Sequence, residues 1–123
     1  MFLFVVIYVY MNIYSRIESQ IPSVHAGPNL TLDDAESLSE LFSTLSDPTR
    51  VRIISLLASK DQSVQELSEA LQISHSAVSH QLSGLRLSRV VRASKSGRSV
   101  IYSLHDQHIE QLYLFGLEHI RHK

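Results

Sequence analysis

Residues 63–87, "SVQELSEALQISHSAVSHQLSGLRL", leave the chain few choices. Ser63 with Glu66 three positions later is a capping box, which opens a short helix running to Leu71. Ser74 can cap another helix after a turn at Gln72 and Ile73, and two short helices joined so tightly form a helix-turn-helix. In the second helix Val78, Leu82 and Leu85 fall on one face and should anchor it to a core. The opposite face carries His75, Ser76, Ser79, His80 and Ser83, with Ser74 at its head. These small hydroxyls and imidazoles reach base edges or phosphates without steric bulk, whereas an isolated helix with such a face would simply be solvated.

The flanking segments favour the first reading. Thr31 precedes Asp33, Asp34 and Glu36, a first turn suited to the helix dipole, and Leu38, Leu41, Phe42 and Leu45 repeat with helical period. In "SDPTRVRIISLLAS", Asp47 is an N-cap and Pro48 takes the first helical position, with Val51, Ile54, Leu57 and Ala58 as the expected buried face. After the helix-turn-helix, "VVRASKSGRSVIYSL" reads as a hairpin turning at Ser96-Gly97, its tip made basic by Arg92, Lys95 and Arg98. A helix-turn-helix followed by a basic hairpin predicts a mainly α winged helix, one helix entering the major groove while the wing holds adjacent backbone.

Charge agrees in its distribution rather than its total. The net charge is -1, yet between Glu69 and Asp106 there is no acidic residue, while Arg86, Arg89, Arg92, Lys95 and Arg98 all fall there. With no cysteine, thiolate catalysis, disulfides and Cys-based metal sites are excluded, and a reducing, cytoplasmic setting is expected.

The N-terminus stands apart. "MFLFVVIYVYM" is too short to span a bilayer as a helix and lacks a basic signal-peptide flank, although "VHA" at 24–26 faintly resembles a cleavage site. It reads as an apolar extension, or as an overlong reading frame whose start is Met11, ahead of a membrane anchor. Residues 22–29 read as a linker, giving an extension over 1–29 and one folded domain over 30–123.

"LFSTLSDPTRVRIISLLA", "ISHSAVSHQLSGLR" and "KSGRSVIYSLHDQHI" together resemble the ArsR/SmtB family of metal-responsive winged-helix repressors, from about Glu36 to His122. The resemblance implies a homodimer that binds an imperfect inverted repeat in operator DNA and is released by metal. It implies no membrane partner, no small organic substrate and no enzymatic activity. In arsenic-, cadmium- and lead-sensing relatives, cysteines stand where this chain has Ser63 and Gln65, so soft-ion sensing is not expected here.

The closing stretch "HDQHIEQLYLFGLEHIRHK" supplies the candidate metal site. His108 and His119 are eleven residues apart. On one helix that spacing is about 16 Å of rise at nearly the same azimuth, so they cannot share an ion within one helix. Asp106 with His108, and His119 with His122, each form half a shell; two antiparallel copies would complete two sites, with Ile109, Leu112, Leu117 and Ile120 burying the contact between them. The pattern matches the family's zinc-sensing C-terminal site at each ligand position. Three imidazoles and a carboxylate suit tetrahedral Zn(II), with Co(II) also accepted and Ni(II) if the shell expands. In zinc-sensing relatives the ligand matching His119 passes a hydrogen bond towards the backbone at the position matching Arg89. His105 matches no ligand position and is expected to be exposed, and His25 is expected to be idle in the linker.

Two other readings remain: a winged-helix regulator indifferent to metal, with surface histidines only, and a metallohydrolase. The second is weak, since no His-Glu-x-x-His helix exists and a fully protein-ligated site leaves no position for activated water.

Overall fold

A computed structural model describes residues 2–18 and 29–122. Of the expected linker only Asn29 lies among them, and His25 falls outside. The chain divides into two compact units, residues 1–35 and 36–123. In the first, helix α1 (Phe2–Glu18) exposes its apolar side chains from Phe2 to Met11. No helix among the described residues is long and apolar enough to cross a membrane. Helix α2 (Leu32–Leu45) begins with Thr31 accepting a hydrogen bond from the Asp34 N–H, ahead of the acidic first turn its sequence predicts.

The second unit is assembled on α3 (Pro48–Ser59). Asp47 caps it by accepting the Arg50 N–H at 2.9 Å, with Pro48 in the first turn as expected. Its buried residues are Ile53, Ile54 and Leu57, whereas Val51 is 40% exposed and Ala58 only half-buried. The single-stripe expectation fails because α3 packs against several elements at once: the two helices that follow it, the wing and the C-terminal helix. Its buried band is therefore wider than one stripe and turned towards Ile53. From α2, Leu41 and Leu45 reach this core, while Leu38 and Phe42 stay exposed.

Helices α4 (Val64–Leu71) and α5 (His75–Leu87) form the helix-turn-helix with the boundaries their caps predict. Ser63 and Glu66 make both bonds of the capping box. Gln72 ends α4 in the left-handed region (φ 57°), and the Ser68 hydroxyl, buried beneath the turn, donates to the Ile73 carbonyl.

The wing is β2 (Val91–Ser96) paired antiparallel with β3 (Ser99–Leu104), Ser96 facing Ser99. The two-residue loop is thus Gly97-Arg98, one position beyond the expected turn. Gly97 has φ +62° while Arg98 does not share a positive φ, the pattern of a hairpin that requires glycine first. A two-residue strand β1 (Gln62–Ser63), too short to show any periodicity, adds to β3 and gives the sheet order β1-β3-β2. Helix α6 (Gln107–Arg121) closes the unit, with Ile109 buried and the Tyr113 hydroxyl 2.9 Å from the Ser55 hydroxyl of α3.

Candidate functional site

Helix α5 is held by one face and open on the other. Val78, Leu82 and Leu85 are completely buried, and the Ser74 hydroxyl accepts the Ala77 N–H at 3.0 Å to start the helix. His75, Ser76, Ser79, His80 and Ser83 are all exposed, as is Ser74. The expected base-reading side chains therefore share the face opposite the core, on a rigid element whose first turn supplies free N–H groups.

On the wing, Lys95 pairs with Val100 next to the turn and Arg98 lies within it, both exposed. Arg92 is not at the tip. It pairs with Ser103 near the base of the hairpin and donates from Nε to the Ser103 hydroxyl at 3.1 Å. The tip cations are consequently Lys95 and Arg98. Arg89, just past α5, adopts a left-handed backbone (φ 55°) uncommon for a side-chain-bearing residue, and its N–H reaches the Arg86 carbonyl.

The C-terminal histidines fall at the two ends of α6. Asp106 is the N-cap, with extended backbone (φ -157°); its Oδ1 accepts the His108 N–H at 2.9 Å and lies 3.3 Å from His108 Nδ1. An N-cap residue is free to turn its carboxylate back onto the first turn, which brings these two donors together. His119 is exposed in the last turn and His122 is the C-cap. Among the described residues no three His, Asp or Glu gather closely enough to hold an ion. The donor set nonetheless suits a borderline divalent cation, being three imidazoles and a carboxylate that are all solvent-accessible. His105, expected to be exposed, is half-buried, because its N–H is tied to the Val90 carbonyl at 2.9 Å where the hairpin returns to the core.

Between the two ends, α6 does not keep its whole apolar run for another chain. Ile109 and Tyr113 join the protomer's own core. An apolar groove of about 300 Å³ remains open beside them, lined by Leu45, Val51, Ile54, Leu112, Leu117 and Ile120 among others. The sequence reading missed the role of Val51 here, and also Arg50, a half-buried cation whose side chain bonds Gln81 of α5 and the Thr44 carbonyl of α2.

Comparison with known proteins bears on this arrangement. Residues 47–93 match the family described as bacterial regulatory protein, arsR family. A transcriptional repressor SmtB homolog from Synechocystis sp. is 44% identical over 92 residues, 75% of this chain and 70% of that protein. Among solved structures, the AntR antimony-specific transcriptional repressor is 30% identical with TM-score 0.70, covering 83% of this chain and 93% of its own. A homodimeric winged helix-turn-helix DNA-binding domain from Mycobacterium bovis shares the fold at 18% identity and TM-score 0.68, covering 81% of this chain and 96% of its own. A capped helix-turn-helix with a polar outer face, a basic-tipped wing and this likeness have one meaning: the chain belongs to the ArsR family of winged-helix DNA-binding transcriptional regulators and is not an enzyme.

Proposed function

We propose that the chain is a metal-responsive repressor that binds operator DNA as a homodimer in the cytoplasm and leaves it when zinc binds at the α6 pair. The observation that carries the metal reading is the Asp106–His108 contact of 3.3 Å at one end of α6, with His119 and His122 at the other. Each end is half a shell, and an antiparallel partner helix brings the opposite half to it. The open groove and the exposed Leu38 and Phe42 supply apolar surface for that partner. The M. bovis domain, similar in fold, is homodimeric, which supports pairing of two copies.

In the metal-free dimer, the exposed faces of two α5 helices would enter successive major grooves of an imperfect inverted repeat, with Lys95 and Arg98 on flanking phosphate. A bound Zn(II) supplies a fixed coordination geometry that ties the two chains together. Asp106 and His108 of one α6 and His119 and His122 of the other would then hold the chains in an orientation that disfavours the spacing both α5 helices need. The lack of cysteine sets the chain apart from thiolate-dependent sensing, so Zn(II), and Co(II) or Ni(II) as substitutes, are the fitting ions.

The test is a pair of binding isotherms at stated salt, with and without Zn(II), on a duplex selected from a random-sequence pool by the metal-free chain. Weakening by zinc of about fivefold or more supports the reading. Equal isotherms at full zinc occupancy would leave a regulator indifferent to this metal.

A further inference from the structure

One cation in the second unit joins three helices. Arg50 stands in the first turn of α3, where its N–H is taken by Asp47. Its Nε donates to Gln81 Oε1 of α5 at 2.8 Å, and its Nη1 donates to the Thr44 carbonyl of α2 at 3.2 Å. That carbonyl is among the last of α2, which helical bonding leaves without a partner and which the helix dipole makes attractive to a cation. The guanidinium lies over Gly84: a Cβ there would fall 2.7 Å from Nη2. A second link runs alongside, the Thr44 hydroxyl meeting the hydroxyl of Ser88, the C-cap of α5, at 3.0 Å.

The end of α2 is therefore tied to α5 at its middle and at its end. Arg50 is half-buried, and its α5 partner Gln81 is half-buried on the flank of that helix, away from the exposed Ser76–Ser79–His80–Ser83 face. Two of its five N–H groups are taken by Gln81 and Thr44, and its half-buried seat over Gly84 separates it from the exposed wing-tip cations Lys95 and Arg98. Helix α2 in turn carries exposed Leu38 and Phe42, and its Leu45 lines the same open groove as the α6 residues.

We propose that Arg50, seated over Gly84, is a positioning residue: it sets the pose of recognition helix α5 relative to α2 and so governs operator discrimination. Resting on the function proposed above, this clamp also carries a shift of the α2/α6 dimer face to α5, which couples zinc to DNA. Charge-assisted bonds from a planar fork suit the task, since they constrain direction as well as distance.

The experiment uses the full chain, the pool-selected duplex, a scrambled duplex of equal length, and fluorescence anisotropy with and without Zn(II). Gly84→Ala adds a methyl where the guanidinium lies while improving helix propensity, a gain that offsets the displaced bonds, so the Tm should stay near that of the parent. The ratio of selected to scrambled affinity should nevertheless fall about tenfold or more, with the salt slope unchanged. Arg50→Lys keeps the charge but not the fork and should show the same loss; Ser88→Ala, removing only the second link at an exposed cap, should show a smaller one. Zinc should still bind these variants at parental stoichiometry in a chelator competition, but its effect on DNA affinity should shrink towards none.

Full recovery of discrimination in Arg50→Lys, an intact ratio in Gly84→Ala, or a salt slope reduced as for a lost phosphate contact would each overturn the proposal. A parent chain indifferent to zinc would overturn the proposed metal response alone, since the selected-to-scrambled ratio still decides the positioning claim.

Discussion

Asp106 and His108 approach each other through a cap: one carboxylate oxygen both receives the His108 backbone N–H at 2.9 Å and lies 3.3 Å from its ring Nδ1. The helix start thus pre-forms half of the proposed metal shell. If the other half comes from the partner, a variant lacking Asp106 and His108 and another lacking His119 and His122, all replaced by Ala, should each bind zinc poorly as homodimers. A tandem-linked mixed dimer should regain one tight zinc, because one end pair is restored in full and the other has no ligands. A mixed dimer no better than its parents would exclude cross-chain sites, which competition with a chromophoric chelator would reveal.

Binding to DNA should separate into two kinds of contact. Lys95→Ala and Arg98→Ala are expected to weaken all sequences alike and to shallow the salt slope by about one per lost phosphate contact. Ser79→Ala or His80→Ala should instead cost about 1–3 kcal/mol of discrimination per lost base contact. Isotherms at several salt concentrations on selected and scrambled duplexes measure both. Silent changes at Ser79 and His80 would move the reading face elsewhere.

Zinc-driven release should fade in acid. Imidazoles must be neutral to take a metal, so protons compete with it as the pH falls. Anisotropy titrations at about pH 7.5 and about pH 5.5 are expected to show strong release in the first and little in the second. Release of equal strength at both would count against three histidine ligands.

Helix α4 should lose support in acid through its capping box. The Ser63 backbone N–H holds the Glu66 carboxyl below its ordinary value; slight desolvation opposes this, and the Ser63 hydroxyl and Lys60 assist. A carboxyl whose folded pKa is depressed contributes stability above its unfolded value, and that contribution disappears as pH falls through the folded one. Glu66→Gln should therefore be less stable than the parent near neutrality, and the gap should close on acidification below the carboxylate range. Denaturant unfolding at a series of pH values checks this; a gap that stays constant would assign the effect to shape rather than charge.

Much of the fold was legible because its signals are local. Asp47, Ser63 with Glu66, and Ser74 each cap within three residues of themselves, so spacing alone places three helix starts. The buried stripe of α5 is likewise a matter of period, and its exposed polar face follows as the complement. The four metal-ligand candidates were found from spacing together with the family pattern, and Asp106 and His108 do converge at the helix start.

Only the tertiary structure decided the rest, because those features depend on residues far apart in the chain. Period alone nominates Val51 on α3, yet packing against several elements buries Ile53 in its place and leaves Val51 beside an open groove. Ile109, suited by spacing to a partner helix, is drawn into the protomer's own core, and Tyr113 meets Ser55 from 58 positions away. Strand β1 exists only because β3 offers it an edge to pair with. Arg50 gives no local sign of its partners, since Gln81 lies 31 residues further on and the space for its guanidinium is left by Gly84. Caps and periods are settled among neighbours in the chain; which polar group meets which across helices is settled by how the helices pack, and a one-dimensional pattern does not hold that information.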